Sequence, residues 1–200
     1  EYKLPSTFPE EVVEEAKKAG NKVDKKDIPN RVDLRDHIIF TIDGEDAKDL
    51  DDAVRVIKLE DGNYRLDVHI ADVSYYVKEG SLLDKEALIR GTSIYMLGRV
   101  IPMLPRELSN GICSLNPGVD RLAMSVFAKV DQTGKIIDSF ITPSVIRSRK
   151  QMNYDDVNRI LNGETVEGYE PYERTLRKMN EVSQVQIERR NNKGALELDD

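Results

Sequence analysis

His37-Ile-Ile-Phe-Thr-Ile42, then Asp43-Gly-Glu-Asp-Ala-Lys-Asp-Leu-Asp-Asp52, then Ala53-Val-Arg-Val-Ile-Lys-Leu59 read as strand, acidic turn and strand. Six acids and one lysine crowd the turn, the densest run of one charge sign in the chain. Such crowding is unfavourable: two unit charges ~4 Å apart repel by roughly 1 kcal/mol in water and roughly 4 kcal/mol near a protein surface. A folded domain keeps the cluster if the acids point apart into solvent or share a cation. Strands on both flanks place these acids on rigid elements, which suits a site for a hard metal ion.

Working outward, Asp61-Gly62-Asn63 joins the second strand to Tyr64-Arg-Leu-Asp-Val-His-Ile-Ala71, a hairpin signal. Alternation puts Tyr64, Leu66, Val68 and Ile70 on one face, and Arg65, Asp67, His69 and Ala71 on the other. The strand is expected to run on through Asp72-Val-Ser-Tyr-Tyr-Val77, with Tyr75 and Tyr76 covering the sheet. Ser81-Leu-Leu-Asp84 has the character of a capping box and opens a helix to about Arg90. Ile101-Pro-Met-Leu-Pro-Arg-Glu-Leu108 makes a proline-punctuated turn into a short helix ending near Asn110-Gly111. Arg121 to Val130 and Lys135 to Ile146 form a further hairpin. Tyr154 to Leu161 and about Pro171 to Arg190 are helical. The fold class is α+β: a mixed, mostly antiparallel sheet with flanking helices.

Phe8 to Lys26 reads as an exposed, charged helical stretch closed by Gly20-Asn21, so residues 1–30 are expected to be a linker helix and 31–200 the domain proper. The chain opens Glu1-Tyr-Lys-Leu, and Gly194-Ala-Leu-Glu-Leu198 looks like a strand that has barely begun. A piece of a longer protein is expected, cut at both ends. Two hundred residues with 39% hydrophobic content support one sizeable core. No apolar run reaches 18 residues, which excludes a helical membrane span. The lone cysteine, Cys113, excludes an internal disulfide and suits a reducing cytoplasm. A monomer is expected. The net charge of −7 argues against a phosphate-binding partner, but bound cations reverse the sign that a phosphate meets, so whole-chain charge does not decide the matter.

Asp43, Asp49, Asp51 and Asp52 are the candidate metal ligands. Asp49 and Asp51 alternate along an extended chain and point the same way, whereas Asp52 points oppositely unless the turn twists it. Mg²⁺ prefers octahedral oxygen at ~2.0–2.1 Å and is typically held by one or two carboxylates plus substrate phosphate. Four carboxylates could hold two ions roughly 3.5–4 Å apart, activating a water nucleophile and stabilising the leaving oxygen of a phosphodiester. Three other readings compete. An EF-hand loop requires Gly at position six and Glu at position twelve, and the turn fails both when counted from Asp43 or Asp49. An aspartyl-phosphate site built on Asp49-Leu-Asp51 normally follows an apolar strand, yet Ala47-Lys48 precedes it here. The third is a solvated acidic turn.

Thr41-Ile-Asp-Gly-Glu-Asp-Ala-Lys-Asp-Leu-Asp-Asp-Ala-Val54 resembles the signature of the RNase II superfamily catalytic domain, the RNB domain. His69-Ile-Ala-Asp-Val-Ser-Tyr-Tyr-Val77, Ile101-Pro-Met-Leu-Pro-Arg-Glu-Leu-Ser109 and Cys113-Ser-Leu-Asn116 agree in order, as do Tyr154 and Gly194-Ala-Leu196. The resemblance runs from about Asp33 to the end, so the chain resembles the N-terminal part of that domain. It implies a processive 3′-to-5′ exoribonuclease that acts on the 3′ end of single-stranded RNA and releases nucleoside 5′-monophosphates with Mg²⁺, Mn²⁺ being a possible substitute. It places the four catalytic aspartates at Asp43, Asp49, Asp51 and Asp52, with Asp51 the one most closely tied to hydrolysis. It matches Tyr95 to an aromatic residue that stacks near the RNA 3′ end, where its own surroundings would suggest burial at a helix end. It also implies an arginine-bearing segment downstream and flanking RNA-binding domains, both outside this chain, so the piece alone is expected to hold metal without full activity. The alternative is a non-catalytic RNA-binding or scaffold homologue, in which loss of one or more of the four aspartates is expected.

Arg147, Arg149 and Lys150 on one strand are candidate RNA-phosphate contacts, as are Arg189, Arg190 and Lys193 on the last helix. Each cluster also reads as a solvated face. His69 reads as a satisfied structural histidine, His37 carries no signal, and Cys113 reads as a small core residue.

Overall fold

The computed structural model describes residues 5–97 and 99–195. In chain order its helices are α1 (Glu10–Lys18), α2 (Val73–Tyr76), α3 (Leu82–Arg90), α4 (Tyr154–Leu161) and α5 (Glu173–Asn191). Its strands are β1 (Val32–Asp33), β2 (Thr41–Asp43), β3 (Asp52–Lys58), β4 (Tyr64–Ala71), β5 (Ile94–Met96), β6 (Arg99–Ile101), β7 (Asp120–Val130), β8 (Ile136–Arg147) and β9 (Gln151–Asn153). The main sheet has the order β1-β8-β7-β4-β3 and is antiparallel except where β1 joins β8. The α+β expectation therefore holds. β2 pairs in parallel with β9, and β5 with β6 in a small antiparallel hairpin.

The hairpins form where the turn chemistry says they should. Gly62 takes φ 83°, the left-handed region open to glycine, and Asp61 accepts from the Asn63 amide at 3.0 Å. Gly134 turns the β7–β8 hairpin beneath α5, and a Cβ there would stand 2.9 Å from the Val185 carbonyl oxygen. One sheet face gathers Leu34, Ile39, Leu50, Leu115, Phe127 and Ile146 into a core. Phe40, Met152, Ile160, Tyr169 and Leu176 form a second cluster beneath α4 and α5.

Three expectations need correction. The run His37–Ile42 is not one strand: only Thr41 and Ile42 lie in β2, and Phe40 makes an isolated bridge to Val54. β4 does not continue to Val77. Asp72 accepts from the Ser74 hydroxyl at 3.0 Å and from the Tyr75 amide at 3.2 Å, capping α2 and turning the chain out of the sheet. Tyr75 consequently faces the Arg31 guanidinium, 5.1 Å from ring centroid to Cζ, and Tyr76 packs beside α1 and α3. The stretch expected as an exposed linker helix contains α1, which buries Val12 and Ala16 against Leu83, Leu108, Ile112 and Cys113. One turn of spacing between two small apolar residues supplies that packing face. The expected start of a strand at Gly194–Leu198 falls mostly on 196–200, outside the described residues.

The inner face of β4 is its polar one. Asp67 is fully buried and accepts from Arg65 at 2.7 Å and Arg55 at 3.2 Å. His69, also fully buried, meets the Ser125 hydroxyl at 2.7 Å through Nδ1, and Ser125 meets Ser144 at 2.6 Å. Burial lowers the His69 pKa to about 4. The depressed value favours the neutral ring, so its contribution is complete above about 6.5 and is lost as pH falls towards 4. Chemical denaturation of wild type and His69→Gln across this window should show a decline in stability that the variant lacks. Parallel curves would remove His69 from the acid limb.

Candidate active site

The acidic turn leaves β2 at Asp43 and enters β3 at Asp52. Its backbone is held from beneath. Leu50 is fully buried, and its amide donates to Ser114 Oγ at 3.0 Å, while the same hydroxyl donates to the Lys48 carbonyl at 2.9 Å. The Leu115 amide donates to the Leu50 carbonyl at 2.8 Å, and the Ala71 amide to the Asp51 carbonyl at 2.9 Å. Gln151 Nε2 reaches the Ala47 carbonyl at 2.9 Å. Buried Arg121 fixes the 111–114 segment in turn, donating to the carbonyls of Ser114 at 2.7 Å and Gly111 at 3.2 Å. The turn is thus a rigid shelf with its apolar Leu50 inside and its acids outside.

Those acids feel one another. Burial raises the Asp43 pKa, and repulsion from Asp52 and Asp49 adds to the rise. Asp51 is raised first by desolvation, then by Asp49, Asp52 and Asp43. Its side chain keeps exposed area, but the concave wall around it removes hydration all the same. All four aspartates therefore lie within mutual electrostatic range. Among the described residues, however, no three carboxylate, imidazole or thiol groups form a ready-made ion cage. Tyr95 holds one oxygen of Asp49, its hydroxyl donating to Oδ2 at 2.8 Å. Asp43 Oδ2 is buried with no hydrogen-bond partner among the described residues. A buried acceptor left open beside other carboxylates fits a divalent cation, which would satisfy it and relieve their repulsion.

Two cavities flank Asp49. One, about 310 Å³, lies between Asp51, Ile70, Val73, Tyr95 and Leu104, and is walled largely by apolar side chains. The other, about 350 Å³, is bordered by Lys48, Arg99 and Arg106. Tyr95 is 67% exposed on β5 rather than buried at a helix end, so its ring is free to stack.

The other candidate cations sit elsewhere or are engaged. Arg147 binds Asp120 through Nε at 2.8 Å and Nη2 at 2.7 Å. Arg149 donates to the carbonyls of His37 at 3.2 Å and Arg35 at 3.1 Å. The Lys150 ammonium lies 4.4 Å from the Tyr169 ring centroid. Arg147 ends β8, while Arg149 and Lys150 lie beyond it, so the three do not share a strand. Arg189 and Lys193 border a cavity against the β7–β8 turn whose walls include none of the four aspartates. Cys113 is buried and its thiol is pushed up to about 12 by desolvation, consistent with an inert core residue. Sequence reasoning missed Ser114 as the clamp of the turn and Arg99 and Arg106 as its basic neighbours. The apolar spacing around Leu50 carries no sign of either.

The structure thus presents a shelf of acids on a sheet hairpin, backed by two cavities, within a mixed α+β domain. The chain belongs to the RNB domain family, which matches residues 31–200. It is 52% identical over 193 residues to a protein named Ribonuclease R from Thermotoga maritima, covering 96% of this chain and 27% of that protein. Ribonuclease R 1 of Lactococcus lactis subsp. lactis is 47% identical over 198 residues, covering 98% of this chain and 24% of its own length. The solved structure of Mycoplasma genitalium RNase R with ribose-methylated single-stranded RNA superposes with a TM-score of 0.91 at 32% identity. That match covers 98% of this chain and 31% of the solved one. The chain thus spans about a quarter of the length of the curated relatives it matches. No helix among the described residues is long and apolar enough to cross a membrane.

Proposed function

We propose that this chain supplies the acidic half of the active site of a processive 3′-to-5′ exoribonuclease that hydrolyses single-stranded RNA to nucleoside 5′-monophosphates. The observation that supports the reading is the crowding of Asp43, Asp49, Asp51 and Asp52, within electrostatic range of one another, on a backbone shelf fixed by Ser114 and Leu115. The Mycoplasma relative is solved with single-stranded RNA and also with double-stranded RNA, which supports RNA as the substrate class.

In this reading the four aspartates hold Mg²⁺, with Mn²⁺ able to replace it. A divalent ion there supplies Lewis acidity at the scissile phosphate. The chain's own residues do the rest. Tyr95 offers its exposed ring to the terminal base, and stacking of this kind contributes ~1–3 kcal/mol per base without regard to sequence. Ile70, Val73 and Leu104 give the adjoining cavity apolar walls that exclude water around that nucleoside. The Tyr95–Asp49 hydrogen bond ties the stacking platform to the carboxylates, so the two move as one unit. Protein of this kind is expected to work as a monomer in the cytoplasm.

Net charge of −7 favours the second reading, a non-catalytic RNA-binding or scaffold homologue. The retention of all four aspartates favours the enzyme. Titrating the chain with Mg²⁺ or Mn²⁺ separates them. A cation that binds only the folded state raises stability by roughly 2.7 kcal/mol at a hundred times its dissociation constant, so the melting temperature should climb with either ion. A melting temperature indifferent to both ions would support the scaffold.

A further inference from the structure

The cavity beside Asp49 carries charge that the hydrolytic reading does not use. Lys48, Arg99 and Arg106 border a space of about 350 Å³, together with Ser109 and the carboxylates of Asp46 and Asp49. None of the three cations has an ion-pair or hydrogen-bond partner for its charged end among the described residues. Elsewhere the chain's cations are commonly committed: Arg31 to Asp72, Arg35 to Asp33 and Asp120, Arg147 to Asp120, Arg159 to Asp156 and Glu164. Three uncommitted cations outnumber the two carboxylates around this concavity, which suits an anion, and guanidinium forks match phosphate oxygens in pairs.

We propose that this cavity is a phosphate subsite that receives the nucleoside 5′-monophosphate released at the acidic turn. The inference rests on the exoribonuclease reading. Asp49 and Ser109 belong to the walls of both this cavity and the apolar one under Tyr95, so the two spaces adjoin. A nucleotide spanning them would place its base and sugar on the apolar side and its phosphate on the basic side. The volume is that of a small-molecule site, at the low end of the usual range of roughly 300–1,000 Å³. A channel that follows a strand presents a longer basic groove instead. Arg99 stands on β6 of the same hairpin that carries Tyr95, where Met96 pairs with it across the ladder. Stacking platform and phosphate contact therefore share one structural unit. Product phosphate arriving on this side leaves the carboxylates free for the next residue of the strand, which suits stepwise removal.

The test uses a full-length protein carrying this chain, with calorimetric titration of uridine 5′-monophosphate, uridine and a single-stranded oligouridylate. The variants are Arg99→Gln/Arg106→Gln and, as a rescue, Arg99→Lys/Arg106→Lys. Both side chains are exposed, so the fold should persist, and melting curves check it. Losing charge-assisted phosphate contacts should weaken uridine 5′-monophosphate about tenfold or more. Uridine should bind as before, oligouridylate should lose less than about twofold, and the lysine pair should recover part of the loss. Unchanged affinity for the monophosphate overturns the proposal. So does weakened oligouridylate with unchanged monophosphate, which would assign the cations to the incoming strand. Wild-type protein that binds the monophosphate through these arginines but fails to cut RNA would instead overturn the hydrolytic reading and leave the subsite standing.

Discussion

Asp51→Asn in a full-length protein carrying this chain is expected to stop RNA hydrolysis while single-stranded RNA still binds. Asn is nearly isosteric with Asp, so the shelf should keep its shape, and the Asp51 carbonyl would still accept from the Ala71 amide. What disappears is one negative charge in a group of four whose mutual repulsion raises Asp51 and Asp43. In the proposed mechanism that charge is what attracts a divalent ion to the scissile phosphate. A fall in kcat of roughly a thousandfold, about 4 kcal/mol of transition-state stabilisation, is the scale expected when such an electrostatic element is lost. Affinity for oligonucleotide, measured by fluorescence anisotropy, should change by less than about threefold, because stacking and phosphate contacts remain. Hydrolysis at the wild-type rate would overturn the assignment of Asp51.

Asp72→Ala is expected to have the largest effect on stability, about 3–5 kcal/mol, the usual cost of leaving one partner of a buried ion pair alone. Arg31 Nη2 lies 2.6 Å from Asp72 Oδ2, and the two side chains are 8% and 6% exposed. Removing the carboxylate strands a guanidinium that also donates to the Ala123 and Ser144 carbonyls. It removes the cap of α2 as well. Asp72→Asn keeps a capping oxygen and should cost less than the alanine variant. Urea denaturation of the three proteins decides the matter: a loss below about 1 kcal/mol for Asp72→Ala would show that Arg31 finds solvent or another acceptor.

Asp72 also shows where sequence reading fails. Tyr75, Tyr76 and Val77 have strong strand preference, and alternation carries smoothly through them from β4. A single capping carboxylate, fixed by Arg31 from forty-one residues away, outweighs that preference. Local pattern cannot report a partner so distant. The same holds for Arg149, whose acceptors on Arg35 and His37 are more than a hundred residues off. It was legible as a cation and illegible as a structural one. The acidic turn stands out in the sequence for the opposite reason: its carboxylates lie in ten consecutive residues, and both hairpins carry their turn-forming glycines between their strands. Tyr95 came through the family resemblance alone. Its bond to Asp49 bridges forty-six residues, and its own neighbours gave no hint of exposure.

The clamp of Ser114 and Leu115 on Leu50 joins positions more than sixty residues apart. Loops of that length close late and slowly during folding, because their entropy must be overcome before the contact is gained. The β3–β4 hairpin is by contrast a local pairing, closed by the short turn at Gly62. The carboxylates at this turn therefore take their final aim from the last contacts to close, and not from the local hairpin that carries them.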